Sequence, residues 1–212
     1  MKERPILFSA SMVRAILEGS KTQTRRVIKP QPWEEYSAES IKCEHYAPCI
    51  VDKYGEMDAG PEIFGAYSTD GEWGVRCPYG HPGDKLWVRE TWNKHGGLLT
   101  YHADGDWVAE YKSKHDKTNL TAVYEAKMLK WNPSNNMPRW ASRITLEITG
   151  VRVERLQDIT NNDALDEGTP DLRTIENGWD MRRCFQDLWE QINGAGSWAE
   201  NPWVWVIEFK KV

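Results

Sequence analysis

The chain has 212 residues, of which 40% are apolar and 28% charged, and a formal net charge of -5. That length buries a sizeable core within one domain, and the mild acidity excludes nucleic-acid binding driven by overall charge alone. Residues 1–30 hold seven Lys or Arg against two Glu, whereas 34–76 hold ten acidic and three basic side chains, so an anionic ligand is expected to meet the N-terminal segment.

Ile6-Leu7-Phe8 reads as a short first strand. Met12, Ala15, Ile16 and Gly19 then follow the i, i+3, i+4, i+7 stripe of a helix that Ser9 or Ser11 can cap and Gly19 can close. After Pro30 and Pro32 the pattern dissolves, and 33–75 reads as a loop-rich insertion. The turn Pro82-Gly83-Asp84 leads into a strand over Leu86–Trp92, whose period of two places Glu90 on the same face as Leu86, Val88 and Trp92. A second polar insertion is expected at 95–120, with His95, His102 and His115 as surface histidines. Thr121–Ala126 reads as a strand, and the loop after it carries Trp131, Arg139 and Trp140.

Farther on, Ile144, Leu146 and Ile148 share one strand face, and the apolar phase moves to Val151 and Val153 after Gly150, as at a bulge. Thr160 to Asp163 resembles a capping box, with Gly168 closing a short helix. Asp180 can cap a longer helix with Met181, Phe185, Leu188, Trp189 and Ile192 in one stripe, and Trp203–Phe209 reads as an interior strand covered on both sides. The fold expected is α+β, a small mixed β-barrel with two or three covering helices, forming a single domain over 1–212. The longest apolar run, Trp203 to Ile207, is too short to span a bilayer, so no membrane contact and a cytoplasmic location are expected.

Cys43, Cys49, Cys77 and Cys184 form no C-x-x-C pair and read as reduced thiols. Cys43, His45, Cys49, Cys77 and His81 could gather a metal but match no standard ligand spacing, so no metal or other cofactor is assigned. Of the twelve tryptophans, Trp87, Trp189, Trp203 and Trp205 belong to the core pattern, while Trp140 and Trp131 are candidate stacking surfaces.

The segment Leu17 to Arg26 sets three cations and three small hydroxyls directly after a helix stop, which suits a phosphate, carbonyl or base edge and equally a solvated basic turn. Its Gly19-x-Lys21-x4-Arg26 pattern resembles the signature of the ASCH domain family, a branch of the PUA-like β-barrels linked to RNA and modified nucleosides. Pro82–Trp92 resembles that family's second block, and Met137–Ile144 and Asn201–Val206 resemble its larger phage and prophage members. The Lys-Thr-x-Thr-x-Arg segment is similar to that of small ASCH enzymes that hydrolyse the amide of N4-acetylcytidine. The resemblance implies Lys21 as proton acceptor, Thr24 as nucleophile and Glu90 as proton donor; Thr22, Arg25, Arg26, Arg139 and Trp140 are, on their chemistry, the candidate substrate-binding residues.

Such chemistry requires the Lys21 pKa to fall from about 10.4 to roughly 7–8, which a neighbouring ionised carboxylate opposes. The same Lys and Glu could instead form a structural ion pair. Positions 21 and 24 also fall on opposite sides of an ideal strand, so their side chains meet only if the segment turns. The alternative is a non-catalytic module whose basic cleft binds RNA or a nucleotide, with Arg25, Arg26 and Arg139 on phosphates and Trp140 under a base.

Overall fold

The computed structural model describes residues 1–95, 98–106, 130–169 and 180–212. Strand β1 (Glu3–Leu7) leads into helix α1 (Ala10–Glu18) and then β2 (Gln23–Val27). The Ser9 hydroxyl accepts the Met12 N–H at the start of α1, and Gly19 ends it at φ +82°, a left-handed value that suits glycine. Next come β3 (Ile41–Tyr46), β4 (Cys49–Val51), β5 (Met57–Ala59), β6 (Ile63–Ser68) and β7 (Gly74–Arg76). Strand β8 (Lys85–Arg89) follows the Pro-Gly-Asp turn, and β9 (Trp92–His95) pairs with β10 (Leu98–Tyr101). The long β11 (Thr145–Arg155), helices α2 (Asn161–Asp166) and α3 (Met181–Asn193), and β12 (Trp203–Lys211) complete the order.

The central sheet runs β1-β8-β11-β12-β2, with β1 parallel to β8 and the other neighbours antiparallel. Strand β12 explains the two-sided core. Trp203, Trp205, Ile207 and Phe209 join Ile6, Phe8, Val13, Ile16 and Leu146 on one face, while Val204 and Val206 meet Leu156, Met181, Phe185 and Trp189 on the other. Alternation along one strand thus feeds two apolar clusters, which is why its sequence shows no polar side. The register of β11 against β12 shifts between Ile148 and Gly150, where the phase of the apolar residues changes.

The fold is mixed α+β and strand-rich, but the expected barrel is not closed by strand pairing. No ladder joins β1 to β2 among the described residues. A side chain bridges these two edges instead, since Arg26 Nη2 donates to the Leu7 carbonyl oxygen at 2.7 Å. The segment read as a loop-rich insertion at 33–75 contains a three-stranded sheet, β3-β6-β7, which places Ala66 in the main core. The strand expected over 86–92 is divided, because β8 ends at Arg89 and a new strand starts at Trp92. Thr121–Ala126 and His115 lie outside the described residues. Among the described residues, no helix is long and apolar enough to cross a membrane.

Ile207 is fully buried at the centre of β12. Ile207→Ala is expected to cost about 2–5 kcal/mol in urea unfolding through lost burial and the cavity left behind, and a loss below about 1 kcal/mol would contradict this packing.

Candidate functional site

The site is built on β2, an edge strand. Phe209 N–H donates to the Thr22 carbonyl and Ile28 N–H to the Trp203 carbonyl, so the even-numbered residues of β2 face β12 through their backbone. The odd-numbered residues therefore turn their N–H and C=O groups outward, and the Arg25 and Val27 amides point along the free edge. A cavity of about 240 Å³ lies there, lined by Thr24, Arg25, Arg26, Tyr79, Glu167 and Trp189 among others.

Cross-strand partners fix which face each side chain takes. Thr24 stands opposite Ile207 and Arg26 opposite Trp205, on the face of the larger apolar cluster, whereas Arg25 stands opposite Val206, on the face covered by α2 and α3. Thr24 is 1% exposed, and its hydroxyl makes no hydrogen bond among the described residues.

Lys21 precedes β2 and is 2% exposed. Its Nζ donates to Glu167 Oε2 at 2.8 Å and to the Glu167 carbonyl at 2.7 Å. The other carboxylate oxygen, Oε1, accepts from Arg25 Nη1 at 3.1 Å, and Arg25 Nε reaches Glu154 Oε1 at 3.0 Å. One carboxylate thus bridges two buried cations. Lys21 Nζ also lies 5.8 Å from the centre of the Phe8 ring, and Arg26 Cζ lies 5.3 Å from that same ring. The ammonium therefore reaches from the carboxylate that holds Arg25 toward the face that carries Thr24 and Arg26. Strand β2 begins only at Gln23, so Lys21 lies ahead of the regular alternation to which Thr24 belongs.

Burial pushes the Lys21 pKa below its ordinary value, Arg26 and Arg25 act in the same direction, and Glu167 opposes them. Two backbone contacts hold Glu167 in place: it forms a β-bridge with Lys21, and Thr22 N–H donates to the Asp166 carbonyl. Helix α2 begins with a full capping box between Thr160 and Asp163. It is followed by Gly168 at φ +79°, where a Cβ would sit 2.9 Å from Lys21 Cβ and 2.9 Å from Ala15 Cβ. Glycine is required there for both conformation and space.

The carboxylate expected beside Lys21 was Glu90, and the structure corrects this. Glu90 Oε1 accepts from Arg143 Nε at 2.9 Å and Oε2 from Arg143 Nη2 at 3.1 Å, while Arg143 continues to Asp104. Burial raises the Glu90 pKa against the pull of Arg143. Glu90 follows β8, whose neighbour β1 meets β2 through the Arg26–Leu7 hydrogen bond and not through a ladder.

Arg139 and Trp140 do not line the cavity. Arg139 pairs with exposed Glu3, and Trp140, 61% exposed, packs edge-on to Trp92 with Lys94 Nζ 5.2 Å from its ring. Exposed Thr22 borders a separate depression shared with Arg152 and Asp163. Trp131 contacts the His102 ring and donates to Asp106. Of the cysteine and histidine group, His45 and His81 approach with ring centres 5.4 Å apart, burial pushes the Cys43 thiol up to about 12, and Cys49 is exposed. Among the described residues no group of three or more His, Cys, Asp or Glu is placed to hold a metal.

Glu167, which lines the cavity and bridges Lys21 and Arg25, is the residue of this site that the sequence reading passed over. A signal was present: a carboxylate capping the C-terminus of a helix opposes the helix dipole, a local conflict that marks a residue held by something else. Searches of protein-family models, of curated proteins and of solved structures each return no match for this chain.

Asp163 holds the cap of α2 and also meets Gln23 and Arg152. Burial favours its neutral form, but hydrogen bonds from Thr160 and Gln23 and the charge of Arg25 outweigh this and hold the carboxyl well below its usual range. Its contribution to stability is therefore complete above the unfolded value of about 3.9 and is lost as pH falls through the folded value. The stability gap between wild type and Asp163→Asn is expected to be level from about pH 5 to 8 and to shrink below about pH 4 in urea titrations. A gap that widens on acidification would contradict the assignment.

Proposed function

We propose that this chain is a cytoplasmic amidohydrolase of the ASCH, PUA-like type that cleaves the N4-acyl amide of a cytosine nucleoside, using Thr24, Lys21 and Glu167. The observation that carries the reading is the buried Lys21–Glu167 pair, whose Glu167 lines the same strand-edge cavity as Thr24, a hydroxyl with no hydrogen bond among the described residues. Movement of the Lys21 proton onto Glu167 along their 2.8 Å hydrogen bond leaves a neutral amine and a carboxylic acid. The amine accepts the Thr24 proton as the oxygen attacks the acyl carbon. The Arg25 amide on the free edge of β2 is a donor for the oxyanion that develops.

Glu167 then protonates the departing N4 nitrogen, and the amide C–N bond breaks to leave an acyl ester on Thr24. The Lys21 proton then returns to Glu167, the neutral amine takes a proton from water as the water oxygen attacks the ester carbon, and the ester C–O bond breaks with Glu167 protonating the Thr24 oxygen, which releases the carboxylic acid. Arg25, fixed by Glu154, is a positioning residue that keeps the Glu167 carboxylate aimed at Lys21. The apolar wall from α3, with Trp189 and Phe185, suits the flat face of a pyrimidine. Arg139 and Trp140 take no part in this scheme.

The test is release of cytidine from N4-acetylcytidine by purified protein. Thr24→Ala, Lys21→Ala and Glu167→Gln are each expected to lower kcat by about 10²-fold or more, whereas Glu90→Gln stays within about tenfold of wild type. Full activity in Glu167→Gln, or no wild-type turnover across a panel of N4-acyl cytosines, would overturn the reading.

A further inference from the structure

The charges around the cavity do not cancel. Lys21 and Arg25 are engaged with Glu167, and Arg25 also with Glu154. Two further cations on the lining, Arg26 and Lys29, have no carboxylate partner among the described residues. Arg26 donates through Nη2 to a backbone carbonyl and rests against Phe8, and it feels the charge of Glu167 without forming an ion pair with it. Lys29 is exposed at the same rim and has no hydrogen bond or ion pair among the described residues. Glu167 is the one carboxylate of the lining, and it is already shared by two cations.

A buried donor also lies in the cavity wall. Trp189 lines the cavity at 5% exposure, and its indole Nε1–H is buried without an acceptor among the described residues. A buried donor left unpaired costs free energy that an incoming acceptor oxygen recovers. A neutral nucleoside supplies acceptors but no charge to offset Arg26 and Lys29. A phosphate ester supplies both, since guanidinium and ammonium groups bind phosphate oxygens through charge-assisted hydrogen bonds.

We infer that the natural ligand of this cavity is a phosphate ester of a cytosine nucleoside, held by Arg26 and Lys29, and not the free nucleoside. The inference rests on the nucleoside reading given above, and it names the class of substrate for that site. The base lies against the α3 wall near Thr24, and the phosphate lies toward the rim where Lys29 stands. A monoester and the diester of a short strand share this chemistry.

The experiment is calorimetric binding of cytidine, CMP and a cytidine trinucleotide to the whole chain, wild type and with Arg26→Gln or Lys29→Ala. At low ionic strength CMP or the trinucleotide is expected to bind about tenfold or more tightly than cytidine, with the advantage shrinking as salt rises. The better of the two phosphorylated ligands identifies a terminal monoester or a strand as the source. Each substitution is expected to reduce the ratio of phosphorylated to free-nucleoside affinity. Thermal unfolding of each variant reports whether it has folded, and Lys29→Ala, at an exposed position, provides the test if Arg26→Gln does not fold.

Equal affinities for cytidine and its phosphorylated forms would overturn the inference, as would a preference that survives both substitutions or no binding of any of the three. The turnover assay on N4-acetylcytidine is read separately. Hydrolysis together with equal affinities removes the phosphate site and leaves the amidohydrolase standing, whereas absence of hydrolysis with a retained phosphate preference does the reverse.

Discussion

A single carboxylate, that of Glu167, holds this site together. Lys21 and Arg25 are both removed from water, and each cation would be costly to bury without a counter-charge. The bridge meets this need only because the carboxylate arrives from α2 at a fixed height. The Thr160–Asp163 capping box sets where α2 starts, and Gly168 lets the chain leave α2 without a side chain striking Lys21. A chain of local requirements, from cap to glycine, therefore converges on the placement of two oxygens.

The second constraint is the open edge of β2. Sheet edges expose unpaired backbone groups and are usually covered or blunted. Here the edge carries a cavity walled in part by α3, so the outward amides of Arg25 and Val27 are available to a ligand. The barrel left open between β1 and β2 and the cavity are connected features, since Arg26 both reaches across to Leu7 and lines the cavity wall. A ladder between β1 and β2 would consume the amides that the proposed chemistry uses.

Much of the scaffold was legible because it follows local rules. Ser9 and Gly19 bracket α1, Asp180 caps α3, the phase change at Gly150 is a register shift, and the two-sided apolar run from Trp203 is an interior strand. Lys21, Thr24, Arg25 and Arg26 were also legible as one group, since a helix stop delivers them together. The partner carboxylate was not legible, because 142 residues separate Arg25 from Glu167 along the chain and no period links them. Glu90 drew the role through the resemblance and its place after the Pro-Gly-Asp turn, but a buried Glu is satisfied by any well-placed Arg, and here Arg143 holds it. The sheet within 33–75 was hidden for another reason: β3 alternates, with Ile41 and Cys43 packed on the core and Lys42 and Glu44 outward, but only over a few residues set in acidic, Gly- and Pro-containing sequence.

Burial, reinforced by Arg26 and Arg25, lowers the proton affinity of Lys21 despite its contact with Glu167. Titration of the Lys21 Nζ resonance by NMR, assigned by comparison with Lys21→Arg, measures this directly. The account predicts a pKa below the ordinary lysine value of about 10.4, and titration at or above that value would show a plain structural ion pair in place of an acid and base.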